Sequence, residues 1–419
     1  MNSWPSAPLE ALTDPSRPIT YGVVKPGDEP PQGGVRFIRG GDIFSGKINV
    51  AGLRTISKPV SDQYRRTLLR GGELVVSLVG FPGEVAIVPP ELAGANLARQ
   101  VGLVALGQGV DAYFVKYVLM SPFGRAALLV QTTGTAQQVI NLGNLRKVSI
   151  PLPPLPIQRR IASILGAYDD LIEVNRRRIA VLEEMARRLF DEWFVHFRFP
   201  GHEGHKMVET EHGRLPEGQA IQPLEALSGY ISRGIAPTYD DQAIGLVINQ
   251  KCIRDGRLSL NAARRQRKPV PTLKLVQTGD ILVNSTGTGT LGRIAQVEEV
   301  PDGTTVDSHV TIIRPRPGLD PDYLGAAVGR LQALFEAMAV GATNQMELNR
   351  SRIAAVAIAV PSTDLSARFG KIVRPIRSLT FRLERQTDRL AASRDLLLPR
   401  LISGELSVAT AERELETAA

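Results

Sequence analysis

A glycine-rich segment, TGTGTLG at 286–292, has the G-x-G-x-x-G spacing that cradles pyrophosphate in dinucleotide-binding folds. That chemistry requires a helix directly after the loop, because the helix N-terminus faces the phosphates. Here the strand-like DILVN precedes the loop and RIAQV, which also reads as a strand, follows it. The pattern therefore favours a glycine-rich hairpin over a nucleotide site.

Three histidines, His202, His205 and His212, lie among glutamates in HEGHKMVETEH, a loosely metal-like arrangement. The segment is polar and shows no rigid element that would hold the ligands in a fixed geometry. We interpret these side chains as solvated histidines of a linker, and we predict no metal site.

Other patterns typical of enzymes that act on nucleotides are missing. GKI, at 46–48 and 370–372, lacks the Ser or Thr and the preceding glycine of a P-loop. No lysine has Asp or Glu two residues before it, so the usual nuclease pair is absent. The N/D-P-P-Y/F turn, with which adenine methyltransferases hold a flipped base, does not occur. We therefore predict no catalytic residue and no cofactor bound by this chain.

Two basic segments have residue types suited to DNA, SKPVSDQYRRTLLR at 57–70 and NAARRQRKPVPTLK at 261–274. Lysine and arginine neutralise phosphates, and arginine also reads guanine edges. A solvated charge run would explain either segment alone, but both occupy matching positions of an internal repeat. The predicted DNA-binding residues of these segments are Lys58, Arg65, Arg66, Arg70, Arg264, Arg265, Arg267, Lys268 and Lys274.

A second pair of candidates is polar and uncharged, TTGTAQQ at 132–138 and GATNQ at 341–345. Side-chain amides pair with adenine in the major groove, so we predict base contacts from these segments. The same residues could instead be turn residues that cap each domain. The amides concerned are Gln137, Gln138, Asn344 and Gln345.

Composition is that of a globular protein of two or three domains, with 419 residues, 43% hydrophobic and 22% charged. The net charge of +8 comes from 40 Arg and 10 Lys against 42 acidic residues. The arginine excess suits phosphates and guanine edges, but a GC-rich genome and a solvated surface would also explain it. Cys252 is the only cysteine, so no disulfide framework forms within the chain. The start of the sequence has no signal-peptide pattern, and no apolar run reaches the roughly 18 residues that span a bilayer. We expect a cytoplasmic protein without membrane contact.

The two halves of the sequence repeat one another. PLEAL at 8–12 returns at 223–227, and KPV at 58–60 returns at 268–270. GGELVVS at 71–77 likewise matches TGDILVN at 278–284. An ordered series of matches with a slowly drifting offset indicates tandem duplication of a unit of about 200 residues.

Each repeat ends in a long amphipathic stretch that follows a proline-rich joint, SIPLPPLP in the first copy and VPS in the second. Apolar residues recur there in steps of three and four, which predicts a heptad seam between paired helices. The predicted seam residues are Ile161, Ile164, Tyr168, Leu171, Asn175, Leu182, Met185 and Leu189, with Phe369, Ile372, Ile376, Leu379, Leu383, Leu390 and Leu397 in the second copy.

These elements predict an α+β protein with two tandem β-rich domains, two long antiparallel coiled-coil helices and a pseudo-twofold internal repeat. The predicted segments are a first domain (1–155), a first helix (156–198), a linker (199–222), a second domain (223–361), a second helix (362–407) and a tail (408–419).

With this plan the sequence resembles the specificity subunits of type I restriction–modification enzymes. The resemblance is carried by the half-repeat plan, by SIPLPPLPIQRRIASILGAYDDLIEVNRRRI, by LFDEWFVHFRFPGHE and by LLLPRLISGELSV. It covers essentially the whole chain and is weakest inside the two β-rich domains.

The resemblance implies that each β-rich domain is a target recognition domain for one half of a split, asymmetric site in double-stranded DNA. It also implies that two adenine methyltransferase subunits dock on the helices, that S-adenosylmethionine and ATP bind only to partner subunits, and that restriction and translocase subunits can join. Two alternatives stay open from the residues: a coiled-coil interaction scaffold, or the specificity subunit of a related methyltransferase–nuclease system without a type I motor. A self-sufficient methyltransferase would instead bind the cofactor by itself.

Overall fold

The structure is a computed structural model that describes residues 4–129, 139–210, 213–217, 219–340 and 346–418. The chain divides into two compact units. The first unit consists of Met1–Val174 together with Gln386–Ala419, and the second of Asn175–Arg385. Helix and sheet are mixed in both, so the prediction of a mixed fold is confirmed at this level.

The first unit is built on a four-stranded antiparallel sheet. Its strands, in spatial order, are Thr20–Tyr21, Val101–Val104, Leu74–Ser77 and Val85–Ile87. A three-stranded sheet (Arg54–Ile56, Val35–Ile38, Asn96–Leu97), a hairpin (Ile43–Phe44, Lys47–Ile48) and the pair Ser6–Pro8 with Ser149–Pro151 complete its strands. Its short helices are Lys58–Gln63, Ala112–Met120, Pro122–Leu129 and Leu142–Lys147.

The second unit has the same strand orders. Its four-stranded sheet is Ser228–Arg233, Val310–Pro315, Ile281–Asn284 and Ile294–Gln296. Its three-stranded sheet is Arg264–Gln266, Gly245–Ile248 and Thr305–Val306. Three further antiparallel pairs complete its strands: Ile253–Arg254 with Arg257–Leu258, Ala220–Pro223 with Ala357–Val360, and Met207–Thr210 with Gly213–Pro216. Its short helices are Leu224–Leu227, Pro321–Gly329, Gln332–Ala337 and Arg350–Ala354.

Successive residues of two central strands, 74–76 and 281–283, are apolar because both faces of these strands are buried. Leu74 and Val76 point into the cluster that contains the helices, whereas Val75 between them points into a second cluster beneath the smaller sheet. In the second unit, Ile281 likewise points into the cluster that contains the helices, and Leu282 into the cluster beneath the smaller sheet. This is why LVV and ILV are continuous hydrophobic runs without polar alternation.

Two long helices, Leu155–Phe190 and Thr363–Ile402, follow the β-rich parts, and a final helix spans Val408–Ala418. We call the first two the first and second long helix. In the first unit, Ile161 and Leu165 near the start of the first long helix share a cluster with Leu397 and Leu401 near the end of the second. In the second unit the ends are exchanged, because Phe190 packs edge-on against Phe369 at 5.8 Å between ring centres.

The predicted seam is wrong at four of its fifteen positions. Leu171, Met185, Ile372 and Leu379 are 40–52% exposed, whereas the residues that follow them are more enclosed. The enclosed set is Leu165, Ile172, Ile179 and Ala186 on the first long helix, and Val373, Thr380, Thr387 and Arg394 on the second. The remaining predicted residues are at least partly buried, and Ile164 is buried in the first unit's core. Residues three and four apart both lie on one helix face, so only the packing partner distinguishes them.

Candidate nucleic-acid interface

The basic segment of the first unit directly follows the edge strand Arg54–Ile56 of the three-stranded sheet and includes the helix Lys58–Gln63. The amide of Asn96, fully buried under this segment, holds its backbone. It accepts a hydrogen bond from Thr67 Oγ1 at 2.7 Å and donates to Ser61 Oγ at 3.1 Å. A buried polar group that is bonded on both sides fixes the local chain path.

The predicted cations of this segment are all exposed on that fixed backbone. Arg65 lies 3.9 Å from Asp62, a long contact between two exposed groups that contributes little. Lys58, Arg66 and Arg70 make no side-chain hydrogen bond or ion pair with the described part of the chain. Their charges are therefore available to an external anion.

The basic segment of the second unit occupies the equivalent edge strand, Arg264–Gln266. The Arg264 guanidinium lies over the Tyr239 ring, with Cζ 3.6 Å from the ring centre, and Arg265 Nη1 donates to the carbonyl of Ala243 at 2.9 Å. Neutral partners of this kind orient a guanidinium without cancelling its charge.

Two lysines of the segment are held in the same manner. Lys268 Nζ donates to Ala236 O at 3.1 Å, and Lys274 Nζ donates to Gly234 O at 2.6 Å. Arg267 is exposed and makes no side-chain hydrogen bond within the described residues. No carboxylate of the described chain lies within 4 Å of the five predicted cations in 261–274, so this basic segment keeps its positive charge. We call the two basic segments, 57–70 and 261–274, the basic strips. Sequence reasoning did not identify Tyr239 or the buried Gln266, which bonds both the N–H and the carbonyl of Lys268.

The predicted amide readers Gln137, Gln138, Asn344 and Gln345 lie outside the described residues. The hairpin predicted for the glycine-rich segment is confirmed, because Ile281–Asn284 and Ile294–Gln296 pair antiparallel on either side of it.

In the linker, His202 Nδ1 lies 2.9 Å from the carbonyl oxygen of Phe199, and the His205 ring packs against the Phe199 ring at 5.1 Å. His212 lies outside the described residues. Across the described ranges, no group of three or more His, Cys, Asp or Glu side chains is arranged to hold a metal ion. None of the described helices is both long and apolar enough to cross a membrane.

Each β-rich part is fastened to a long helix of its own unit by buried charge. In the first unit Asp169 accepts from Tyr117 Oη at 2.7 Å and from Arg394 Nη1 at 2.5 Å, with Lys116 Nζ at 3.9 Å. Burial lowers the pKa of Lys116 and raises that of Tyr117.

In the second unit the corresponding carboxylate is Asp322, which is 1% exposed. Arg374 Nε lies 2.9 Å from it and Arg377 Nε 2.8 Å, both on the second long helix. The two units thus use different residues for the same attachment.

Comparison with known proteins finds similarity to one family of DNA specificity domains. Residues 28–184 match the family described as "Type I restriction modification DNA specificity domain". The chain is 32% identical over 174 residues to the type I restriction enzyme EcoBI specificity subunit of Escherichia coli, covering 41% of this chain and 36% of that protein. It is 26% identical over 309 residues to the MjaIX specificity subunit of Methanocaldococcus jannaschii, covering 72% of this chain and 70% of that one.

Among solved structures, the type I restriction–modification S subunit from M. genitalium has the same fold. The TM-score is 0.61 at 17% identity, with 96% of both chains covered. Over residues 28–184 the chain is thus similar to type I restriction–modification DNA specificity domains, and it spans little more than a third of the length of the EcoBI subunit that it matches.

Proposed function

We propose that this chain is the non-catalytic subunit that gives a type I restriction–modification complex its DNA sequence specificity. The observation that carries the proposal is a basic segment at the corresponding edge strand in each of two units with the same strand order. Residues 57–70 directly follow the strand Arg54–Ile56 in the first unit, and residues 261–274 include the strand Arg264–Gln266 in the second. Neither strip is cancelled by nearby carboxylates in the described chain, apart from the long contact of Arg65 with Asp62. Phosphate contacts need cations of this kind on an ordered backbone.

The matching sheets further support an internal duplication, with each unit a target recognition domain. Two related but diverged readers on one chain would recognise two different short sequences separated by an unread gap. A pseudo-twofold arrangement would present them to the duplex in opposite senses, so one methyl group would be added to each strand. The target is therefore proposed to be bipartite and asymmetric.

The long helices are proposed to form an antiparallel coiled coil that serves as the spacer. The exchange of ends between the two clusters, Ile161 with Leu397 in one unit and Phe190 with Phe369 in the other, supports the antiparallel sense. Two adenine methyltransferase subunits are proposed to dock on these helices and to supply S-adenosylmethionine. ATP would bind only to restriction and translocase subunits, and the whole assembly would be cytoplasmic.

The proposal is tested by co-purifying the chain with the methyltransferase encoded beside it and mapping methylated adenines in DNA exposed to the complex. A split target methylated once on each strand is expected. Binding of the chain to that duplex should weaken steeply with salt, because each neutralised phosphate releases about 0.9 counterion. Salt-independent binding without sequence preference would leave the interaction scaffold as the better description, and cofactor binding by the isolated chain would favour a self-sufficient methyltransferase.

A further inference from the structure

A short turn leads into the second strand of each four-stranded sheet. In the first unit it is Ala98–Gln100, directly before Val101–Val104, and in the second it is Asp307–His309, directly before Val310–Pro315. Both turns follow the strand of the three-stranded sheet that pairs parallel to its neighbour. They therefore occupy the same position in the two units.

The two turns are held by equivalent backbone hydrogen bonds. Gln100 O accepts from Leu78 N at 2.8 Å, and His309 O accepts from Ser285 N at 2.8 Å. Each bond ties the turn to the start of the loop between the two strands of the adjacent hairpin. The turn in the second unit is fixed further, because Asp307 Oδ1 accepts from His309 N at 2.9 Å.

Arg99, Gln100 and His309 are the polar, exposed side chains of these turns. Arg99 and Gln100 make no side-chain hydrogen bond with any described residue. His309 is also exposed, and its Nδ1 is bonded to Thr286 Oγ1 at 2.7 Å, which leaves Nε2 directed away from that partner. An ordered backbone that presents polar groups without partners is preorganised to bind, because little conformational entropy is lost on contact.

The chemistry of these groups suits base edges better than phosphates. A neutral amide gains little from a phosphate charge, whereas glutamine forms two hydrogen bonds with adenine N6 and N7. The imidazole Nε2 offers a single hydrogen-bonding position to a base edge. Arg99, next to Gln100, supplies a cation for the adjoining backbone.

We propose that these turns are sequence-reading elements, with Gln100 recognising an adenine in one half-site and His309 a base in the other. The inference rests on the proposed function, since it assigns specificity to a chain taken to bind DNA. It adds two specificity-determining residues outside the basic strips.

The test is selection of bound duplexes from a randomised library by the full chain and by single variants. Gln100→Ala should reduce the preference for adenine at one position of one half-site by roughly 5- to 150-fold. It should leave the other half-site and the salt dependence unchanged. His309→Ala should relax one position of the opposite half-site only.

Gln108 provides a matched control, because this exposed glutamine lies in the turn just beyond the other end of the same strand, Val101–Val104. Gln108→Ala should select the native sequence, and thermal unfolding should show that all variants are folded. If the native chain selects a sequence and Gln100→Ala and His309→Ala select the same one, the turns are not readers. The inference also fails if one variant alters both half-sites. If the native chain selects no sequence, the proposed function fails instead.

Discussion

Adjacent residues of the second long helix should respond very differently to the same substitution. Val373 is 5% exposed and belongs to the cluster of the second unit, whereas Ile372 is 45% exposed. Val373→Asp removes a buried side chain worth about 1.5–3 kcal/mol and leaves a buried carboxylate without an arranged partner, which costs a further few kcal/mol. The total is a large part of the roughly 5–15 kcal/mol that stabilises a domain.

Ile372→Asp should cost about 1 kcal/mol or less, mostly through the lower helix propensity of aspartate. Trp193 provides the assay, since its ring lies 6.1 Å from the Phe369 ring in the same cluster. Urea unfolding followed by fluorescence, in a background where Trp4 is replaced by Phe, reports on this cluster alone because the chain has two tryptophans. Equal losses for the two variants, or a greater loss for Ile372→Asp, would refute the assigned seam.

Other consequences can be measured independently. Lys116→Met should be neutral or slightly stabilising near pH 7, because Asp169 keeps its other hydrogen bonds. Burial holds the Lys116 pKa of the folded protein below the 10.5 of the unfolded chain, so between these two values the unfolded state binds more protons. The free energy of unfolding therefore rises with pH in that alkaline window. Urea titrations at several pH values should show that the Met variant loses this rise. Arg66→Ala or Arg267→Ala should weaken binding to all duplexes and lower the salt slope by about 0.9 if each neutralises one phosphate, whereas loss of preference at one base pair would show base reading. Exchanging residues 223–355 for those of a relative should change one half of the methylated target and leave the other intact; a change in both halves would contradict independent readers. Insertion of one heptad into both long helices should lengthen the unread gap by about three base pairs, which methylation mapping would reveal.

Local sequence was sufficient for features that depend on neighbouring residues. The prolines before Leu155 and the helical spacing after it predict where a long helix begins, since proline is excluded from helix interiors but tolerated in the first turn. Strand-like runs on both sides of TGTGTLG likewise predicted the hairpin. Repeated motifs indicated two related β-rich parts, and the mixed fold follows from them.

Tertiary structure decided which of two plausible residues is buried. Leu171 and Ile172 are both large and apolar, and both fit steps of three or four along one helix face. Ile172 is 4% exposed and Leu171 46%, a difference set by where the rest of the protein lies against the helix. Successive side chains on a helix point in directions about 100° apart. The local sequence does not show on which side of the helix the packing partner lies.

The candidate interface shows the same division. Composition and repetition located the cations, because charge and order along the chain are properties of the sequence itself. Whether a cation is cancelled, stacked on an aromatic ring or left exposed depends on residues distant in sequence, as with Arg264 and Tyr239. The placement of Gln100 at an exposed turn beside the hairpin loop depends in turn on strand pairing across the sheet. Sequence thus determined which residue types and repeats are present, and the packing of distant segments determined which of those residues can meet a partner.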